Sequence, residues 1–117
     1  MNLTTFLNKL ERAPNNIEFT ETMSVIEATY SFTPTSFTNG VTLNQAGENN
    51  GSCKIFAFGI LNKLSEQQTL ACFGNYYRDD VLKNPEGEDH QNIRNFMVSG
   101  WQGTSFEGQA LISKAST

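Results

Sequence analysis

The sequence predicts a single α+β domain over residues 1–117, in which about five helices surround one central apolar helix. Two observations predict this fold class. Apolar residues recur at helical spacing in several segments, one of which is apolar on nearly every side. Residues 37–43 and 104–112 instead carry β-branched and aromatic residues around glycine, a pattern typical of short strands. A chain of 117 residues can bury one core without disulfides or metal ions.

Two amphipathic helices are expected in the N-terminal part of the chain. The first has apolar residues three or four positions apart, namely Leu3, Phe6, Leu7 and Leu10. Pro14 ends this helix. The second carries on one face Phe19, Met23, Ile26 and Tyr30. Pro34 stops it, because the residue before a proline is pushed out of the helical region.

Residues 37–43 predict a short hairpin. Asn39-Gly40 at its centre tolerates the positive φ angles of a type I′ turn. A similar segment, residues 106–111, lies near the other end of the chain. Because isolated two-stranded pieces are marginal in water, we expect residues 37–43 and 104–112 to meet in one small antiparallel sheet.

Residues 53–61 predict the central helix, because a helix that is hydrophobic all round is buried. A capping box of Ser65 and Gln68 opens the next helix, which ends before Pro85. The apolar face of that helix carries Leu70, Phe73, Tyr77 and Val81. Asp89 is expected to cap the last helix. The apolar face of the last helix carries Ile93, Phe96, Met97 and Trp101.

Charge and composition exclude several classes of partner. The net charge is −4 and the pI about 4.8, so we expect no nucleic-acid partner. No stretch approaches the ~18 apolar residues of a membrane span, so we expect no membrane association. The first five residues lack the basic and apolar regions of a secretory signal. Cys53 and Cys72 lie among apolar residues, which is typical of reduced, buried thiols in a cytosolic protein.

The loop-to-helix junction of residues 48–54 is the first candidate binding site. If the helix begins near Ser52, several backbone N–H groups point into the loop at the positive end of the helix dipole, which favours an anion. Lys54 would add positive charge. The phosphate-loop motif is absent, because Ser52 stands where that motif needs a glycine. In the alternative interpretation, Asn50 or Ser52 caps the helix and Gly51 makes the turn.

A cysteine-dependent hydrolase or acyltransferase is the alternative function. The dipole stabilises a thiolate at a helix N-terminus, so Cys53 would be the nucleophile. Gly51-Ser52-Cys53 echoes the Gly-Ser-Cys of papain-like proteases, with His90 as the base and Gln45 as the oxyanion donor. The flanking papain signature is missing, since Lys54 stands where an aromatic residue is expected. We therefore expect a small binding or interaction domain rather than an enzyme.

A second polar concentration extends from Tyr76 to His90. Its carboxylates and imidazole suit a divalent cation by residue type, but their spacing matches no EF-hand loop. Ordinary surface ion pairs account for the acidic side chains, so we predict no metal site and no cofactor.

Tyr76 and Arg78 are expected as pocket walls. The predicted ligand-binding residues are Asn49, Asn50, Gly51, Ser52, Lys54, Tyr76 and Arg78. We expect these residues to bind a small polar or anionic ligand. In the alternative, the chain binds a protein partner.

Four segments of the chain resemble the HopJ type III effector family. They are NNGSCKIFAF (49–58), SEQQTLACFG (65–74), YYRDDVL (76–82) and HQNIRNFM (90–97). The resemblance covers about residues 4–112, nearly the whole chain.

The resemblance implies a bacterial, virulence-associated protein. The family takes its name from proteins of plant-pathogenic bacteria described as effectors that pass through a type III secretion apparatus into host cells. The resemblance implies no established activity, ligand or functional residue. Leu3 and Phe6 are expected in the core, so a secretion signal would overlap the folded domain. The alternative is a bacterial cytoplasmic protein that is never secreted as an effector.

Overall fold

A computed structural model of the chain describes residues 2–114, so residue 1 and residues 115–117 of the predicted domain lie outside the described residues. The α-helices are α1 (Leu3–Arg12), α2 (Phe19–Thr29), α3 (Asn50–Leu61), α4 (Glu66–Ala71) and α5 (Gln91–Ser99). The strands are β1 (Tyr30–Phe32), β2 (Phe37–Asn39), β3 (Thr42–Asn44), β4 (Thr104–Phe106) and β5 (Leu111–Ser113). Tyr76–Val81 form a π-helix, and Pro14–Asn16 and Gly100–Gly103 form 3₁₀ turns.

Within residues 2–114, every helix is too short or too polar to cross a membrane. The predicted α+β class is confirmed.

The apolar helix α3 lies in the centre of the core, as the sequence predicts. Its most deeply buried side chains are Cys53, Ile55, Phe56 and Phe58. The Phe56 ring centroid lies 4.9 Å from that of Phe96 and 5.9 Å from that of Phe37, so this side chain joins α5 and β2 to α3. Gly59 leaves room for Trp101, since a Cβ on Gly59 would lie 2.8 Å from the Trp101 indole.

The strands form two small antiparallel sheets, whereas the sequence predicted one. The first sheet has the order β3-β2-β4, with Phe37 opposite Asn44 on one side and Phe106 on the other. The second pairs β1 with β5, with Tyr30 opposite Ser113. Residues 104–112 therefore do not form a hairpin of their own. The predicted meeting of residues 37–43 with residues 104–112 is confirmed by the pairing of β2 with β4. The sequence did not predict the second sheet, because β1 was assigned to the end of α2 and takes as its partner β5, which is distant in sequence.

The turn between β2 and β3 lies one residue later than predicted. Asn39 is the last residue of β2 and pairs with Thr42, so the turn residues are Gly40 and Val41. Gly40 has φ +65°, and Val41 has no positive φ, which is the pattern of a type II′ turn rather than type I′. Asn39 is wholly buried, and its side chain donates hydrogen bonds to Asn92. These bonds account for its place in the strand rather than the turn.

The helix predicted to extend from Ser65 to Asn84 is interrupted. Its capping box is confirmed, because the Gln68 N–H donates to Ser65 Oγ (3.1 Å) and the Ser65 N–H donates to Gln68 Oε1 (3.0 Å). However, α4 ends at Ala71, and the chain turns at Gly74, whose φ is +61°. A Cβ on Gly74 would lie 2.6 Å from the backbone nitrogen of Phe19. The close approach of the start of α2 therefore breaks the helix at this point.

Candidate functional site

A cleft of about 350 Å³ opens where the N-terminal ends of α3 and α5 meet. Its polar lining consists of Thr42, Asn44, Asn49, Ser52, His90, Gln91 and Asn92. The rest of the lining consists of Phe19, Gly51, Phe73, Tyr76 and Ile93. A concave site with apolar walls and a few convergent polar groups is the usual form of a small-molecule pocket.

The N-terminus of α3 forms one side of the cleft, and no side chain of the described residues caps it. The N-cap residue Asn49 has left-handed backbone angles (φ 51°, ψ 50°), and its side chain donates instead to Asn44 Oδ1 (2.7 Å). The helix begins at Asn50, so the prediction of a cap by Asn50 or Ser52 is wrong. Among residues 2–114, the backbone N–H groups of Asn50, Gly51 and Ser52 have no acceptor. They are free to bind a ligand or water at the positive end of the helix dipole.

The N-terminus of α5 forms the opposite side and has the same construction. His90 is its N-cap, with φ 52° and ψ 49°, and again no side chain from residues 2–114 caps the helix. Within the described part of the chain, the N–H groups of Gln91 and Asn92 have no acceptor. The expected cap by Asp89 is wrong, because the Asp89 carboxylate accepts a 2.6 Å hydrogen bond from Arg94 Nη2, one turn into the helix.

A buried asparagine network joins the two helix ends. Asn44 and Asn92 exchange two hydrogen bonds, from Asn44 Nδ2 to Asn92 Oδ1 (3.2 Å) and from Asn92 Nδ2 to Asn44 Oδ1 (3.0 Å). Asn49 donates to Asn44, and Asn39 donates to Asn92 Oδ1 (3.0 Å). Buried side-chain amides require partners, and Asn44 and Asn92 supply each other's. The buried Asn39 Oδ1, in contrast, has no hydrogen-bond partner among the described residues. The network fixes the hairpin β2–β3 and the starts of α3 and α5 relative to one another.

The rings of Phe19, Phe73 and Tyr76 form the apolar wall of the cleft. The Tyr76 ring packs edge-on against Phe19 at 4.9 Å between centroids. The centroid of the Tyr76 ring also lies 5.1 Å from that of the His90 imidazole. Phe73 and Ile93 are almost wholly buried beneath the cleft. The cleft therefore offers hydrogen-bond donors at the helix ends and an aromatic surface beside them.

His90 belongs to a charged cluster at the edge of the cleft. Its Nε2 lies 3.0 Å from Asp80 Oδ2 and 3.8 Å from Asp89 Oδ2. The Arg94 guanidinium beside Asp89 lowers the pKa of that carboxyl below its usual value. Each member of the cluster thus lies within 4 Å of a polar atom of another member. The absence of a metal site stays a prediction.

The structure brings together four of the seven predicted ligand-binding residues, namely Asn49, Gly51, Ser52 and Tyr76. Three others lie elsewhere. Asn50 is exposed outside the cleft lining. The Lys54 ammonium lies 5.0 Å from the centre of the Phe32 ring and 3.9 Å from Glu27 Oε1. The Arg78 guanidinium donates to the carbonyl oxygen of Ile17 (2.7 Å).

Within residues 2–114, Cys53 lacks the exposed position in the cleft that the hydrolase alternative requires. Cys53 is 1 % exposed, and its Sγ lies 3.5 Å from the carbonyl oxygen of Thr35. Burial raises the pKa of the Cys53 thiol, which disfavours a thiolate. Cys53 and Gln45 lie outside the cleft lining, whereas His90 lies within it. The prediction of two buried free thiols is confirmed, and burial raises the pKa of Cys72 to about 12.

Sequence reasoning missed the asparagine network and the hydrophobic side of the cleft. The missed lining residues are Phe19, Thr42, Asn44, Phe73, Gln91, Asn92 and Ile93. Asn44 and Asn92 are 48 positions apart, so no local pattern links them. A weaker signal was available, because Asn44 directly follows an expected strand and Asn92 lies in the first turn of an expected helix. At such positions an asparagine side chain often forms hydrogen bonds with neighbouring backbone groups.

A comparison with protein-family models identifies the family of the chain. The sequence model described as HopJ type III effector protein matches residues 3–111, nearly the whole chain. A crystal structure described as that of the unknown function protein VPA0580 is 62 % identical and superposes with a TM-score of 0.96. That likeness covers 97 % of this chain and 95 % of the other. A search of curated proteins found no match. The family predicted from the four sequence segments is thus confirmed, and the chain belongs to the HopJ type III effector protein family.

Proposed function

We propose that the protein binds a small anion with an apolar or aromatic body in the cleft between α3 and α5. The observation that carries the proposal is the convergence of two uncapped helix N-termini on one concave site. Each helix end presents backbone N–H groups and about half a positive charge. Anions commonly bind at such ends. The aromatic wall supplies contact area for the rest of the ligand.

The charges around the cleft favour a monoanion such as a carboxylate over a phosphate dianion. Among the described residues that line the cleft, none is a lysine or an arginine. The positive potential comes from two helix ends, which together amount to about one elementary charge. Asp80 and Asp89 lie beside His90 and would repel a second negative charge. A volume of about 350 Å³ lies near the lower end of the range for ligand pockets, so the ligand is small.

Titration of the ¹⁵N-labelled chain with benzoate, followed by amide chemical shifts, tests the proposal. Benzoate should shift the amide signals of Gly51, Ser52, Gln91 and Asn92. Benzamide has nearly the same shape without the charge and should bind at least about tenfold more weakly, because it lacks the interaction with the helix dipoles. Comparable binding of benzamide, or shifts confined to other parts of the chain, would contradict the proposal.

A matched pair of charge variants separates binding from folding. Ser52→Glu places a carboxylate at the start of α3, where it should stabilise the helix but repel benzoate. Thr20→Glu makes the same charge change near the start of α2, outside the cleft lining. We expect Ser52→Glu to weaken benzoate binding by about tenfold or more, and Thr20→Glu to leave it within about twofold. Equal effects of the two variants would mean that benzoate binds somewhere else.

An effector role is a second proposal, supported by the family to which the chain belongs. The competing proposal is a bacterial cytoplasmic protein that is not secreted. It is supported by α1, which packs Phe6 wholly inside the core. A tagged chain expressed in bacteria with and without a working type III apparatus distinguishes the two. Export that depends on the apparatus supports the effector role, and retention of the chain in both strains supports the cytoplasmic one.

A further inference from the structure

His90 lies where the cleft meets the charged cluster. Its Nε2 is 3.0 Å from Asp80 Oδ2, and its ring packs 5.1 Å from Tyr76. The side chain of Asp89 approaches the same nitrogen at 3.8 Å and is bound in turn by Arg94 at 2.6 Å. Among residues 2–114, the charged and titratable groups that face His90 are therefore Asp80 and Tyr76 from the π-helix, Asp89 from its own loop and, through Asp89, Arg94 from α5.

We infer that His90 is a charge switch of the cleft, which binds an anion more tightly when the imidazole is protonated than when it is neutral. The inference rests on the proposed function, because it concerns an anion held at the two helix ends. It adds a regulatory property that depends on the charged cluster rather than on the helix ends.

The direction of the switch follows from the charges of the cluster. Arg94 forms an ion pair with Asp89, so the charges of these two side chains cancel. Asp80 is then the uncompensated negative charge closest to His90. With a neutral imidazole, this charge repels an anion in the cleft. With an imidazolium, the Asp80–His90 pair is neutral overall and the repulsion is removed. Histidine is the side-chain type that changes charge between pH 5 and 8, so anion affinity should rise as the pH falls.

The backbone at residue 90 determines which replacement removes the charge and keeps the turn. His90 has φ 52°, in the left-handed region that most non-glycine residues avoid. Asparagine is neutral at every pH of interest and adopts this region more readily than most residues do. His90→Asn therefore removes the titratable group while preserving the start of α5. Thermal unfolding of the variant, measured at pH 5 and pH 8, checks that it is folded.

Benzenesulfonate is the probe, because its single negative charge stays constant from pH 5 to pH 8. Methyl phenyl sulfone is its neutral counterpart of similar shape. We expect the Kd of benzenesulfonate, measured from the Ser52 and Gln91 amide shifts, to be about three- to tenfold lower at pH 5 than at pH 8. The Kd of the neutral sulfone should be the same at both. In His90→Asn, the Kd of benzenesulfonate should change by less than about twofold.

Asp80→Asn tests the other half of the pair. Removing this carboxylate should lower the Kd of benzenesulfonate at pH 8 toward the value of the native chain at pH 5. Benzenesulfonate binding that is independent of pH, or that keeps its pH dependence in His90→Asn, overturns the switch and leaves the proposed anion site standing. Failure of benzenesulfonate to shift the Ser52 and Gln91 amides at either pH overturns both.

Discussion

Asn44 and Asn92 exchange two hydrogen bonds across the floor of the cleft, and this reciprocal pair holds the starts of α3 and α5 side by side. Asn44 is 1 % exposed and Asn92 is 7 % exposed, so water does not replace these bonds easily. Asn44 also accepts a hydrogen bond from Asn49, the N-cap of α3, and Asn92 is the second residue of α5. The geometry of the candidate site therefore depends on an amide pair that touches both helix ends.

Asn44→Ala should lower the free energy of unfolding by about 1–3 kcal/mol. The variant leaves Asn92 Nδ2 buried without the acceptor it has in the native chain, and an unsatisfied buried donor costs about this much. Urea unfolding followed by far-UV circular dichroism measures the change. Asn50→Ala is the control, because Asn50 is exposed and its loss should change stability by less than about 0.5 kcal/mol. Equal, small losses in both variants would show that the pair contributes little.

Gly74→Ala should be among the most damaging glycine substitutions in the chain. Its positive φ of 61° disfavours any side chain, and a Cβ there would lie 2.6 Å from the backbone nitrogen of Phe19. Gly47→Ala isolates the first effect, because Gly47 has φ 96° and nothing within 4 Å of the added Cβ. We expect about 1–2 kcal/mol of destabilisation at Gly47 and clearly more at Gly74, measured by chemical unfolding. Similar losses at both positions would mean that α2 moves away at little cost.

Sequence reasoning succeeded where a structural feature depends on neighbouring residues. The wholly apolar segment around Phe56 predicted a buried central helix, and the Ser65 and Gln68 side chains predicted the start of α4, because both signals are local. It failed where the partner is distant. Tyr30 pairs with Ser113, so the end of α2 and the second sheet depend on a contact that local patterns do not encode.

The candidate site shows the same division. The junction residues Gly51 and Ser52 were identified because helix N-termini have a local signature. The direction of the Lys54 side chain was not predicted, because that direction depends on α2, whose Glu27 carboxylate lies beside the Lys54 ammonium. The meeting of two helix N-termini also could not be predicted, because His90 and Asn49 are brought together by tertiary packing.

Lys63→Gly should stabilise the protein by about 0.5–1 kcal/mol. Lys63 follows the C-cap of α3 and has φ 54°. The Leu64 N–H donates to the Gly59 carbonyl oxygen (2.9 Å), and the Lys63 N–H donates to the Ile60 carbonyl oxygen (3.3 Å). This is the Schellman arrangement, whose left-handed residue is usually glycine because glycine has no Cβ to clash. Thermal and urea unfolding measure the gain. Lys63→Ala is the control that removes the charge but keeps the strain, and it should not stabilise; a matching gain there would assign the effect to the charge.

The stability of the fold should decrease in acid partly through Glu21. The Lys9 ammonium lies 2.8 Å from Glu21 Oε2 and lowers the pKa of that carboxyl below 4.5. A carboxyl whose pKa is lower in the folded than in the unfolded state contributes stability above its unfolded pKa, and loses it as the pH falls through the folded one. Glu21→Gln should therefore cost less than about 1 kcal/mol at pH 7 and almost nothing at pH 2.5. Urea unfolding at both pH values measures this, and an equal cost at both would show that the effect does not come from the charge of Glu21.

Cys53 should resist alkylation until the protein unfolds. Its side chain is 1 % exposed, and burial raises the pKa of its thiol, so both access and the thiolate form that reacts are suppressed. In a Cys72→Ser chain, the rate of reaction with iodoacetamide at pH 8 should be far below that of free cysteine and should rise steeply with urea through the unfolding transition. Cys53→Ser is the matched control, because the alkylation rate of that variant is the rate of Cys72, which is equally buried. Fast alkylation of Cys53 in the native state, with a midpoint below the ~8.5 of a free thiol, would restore the hydrolase alternative.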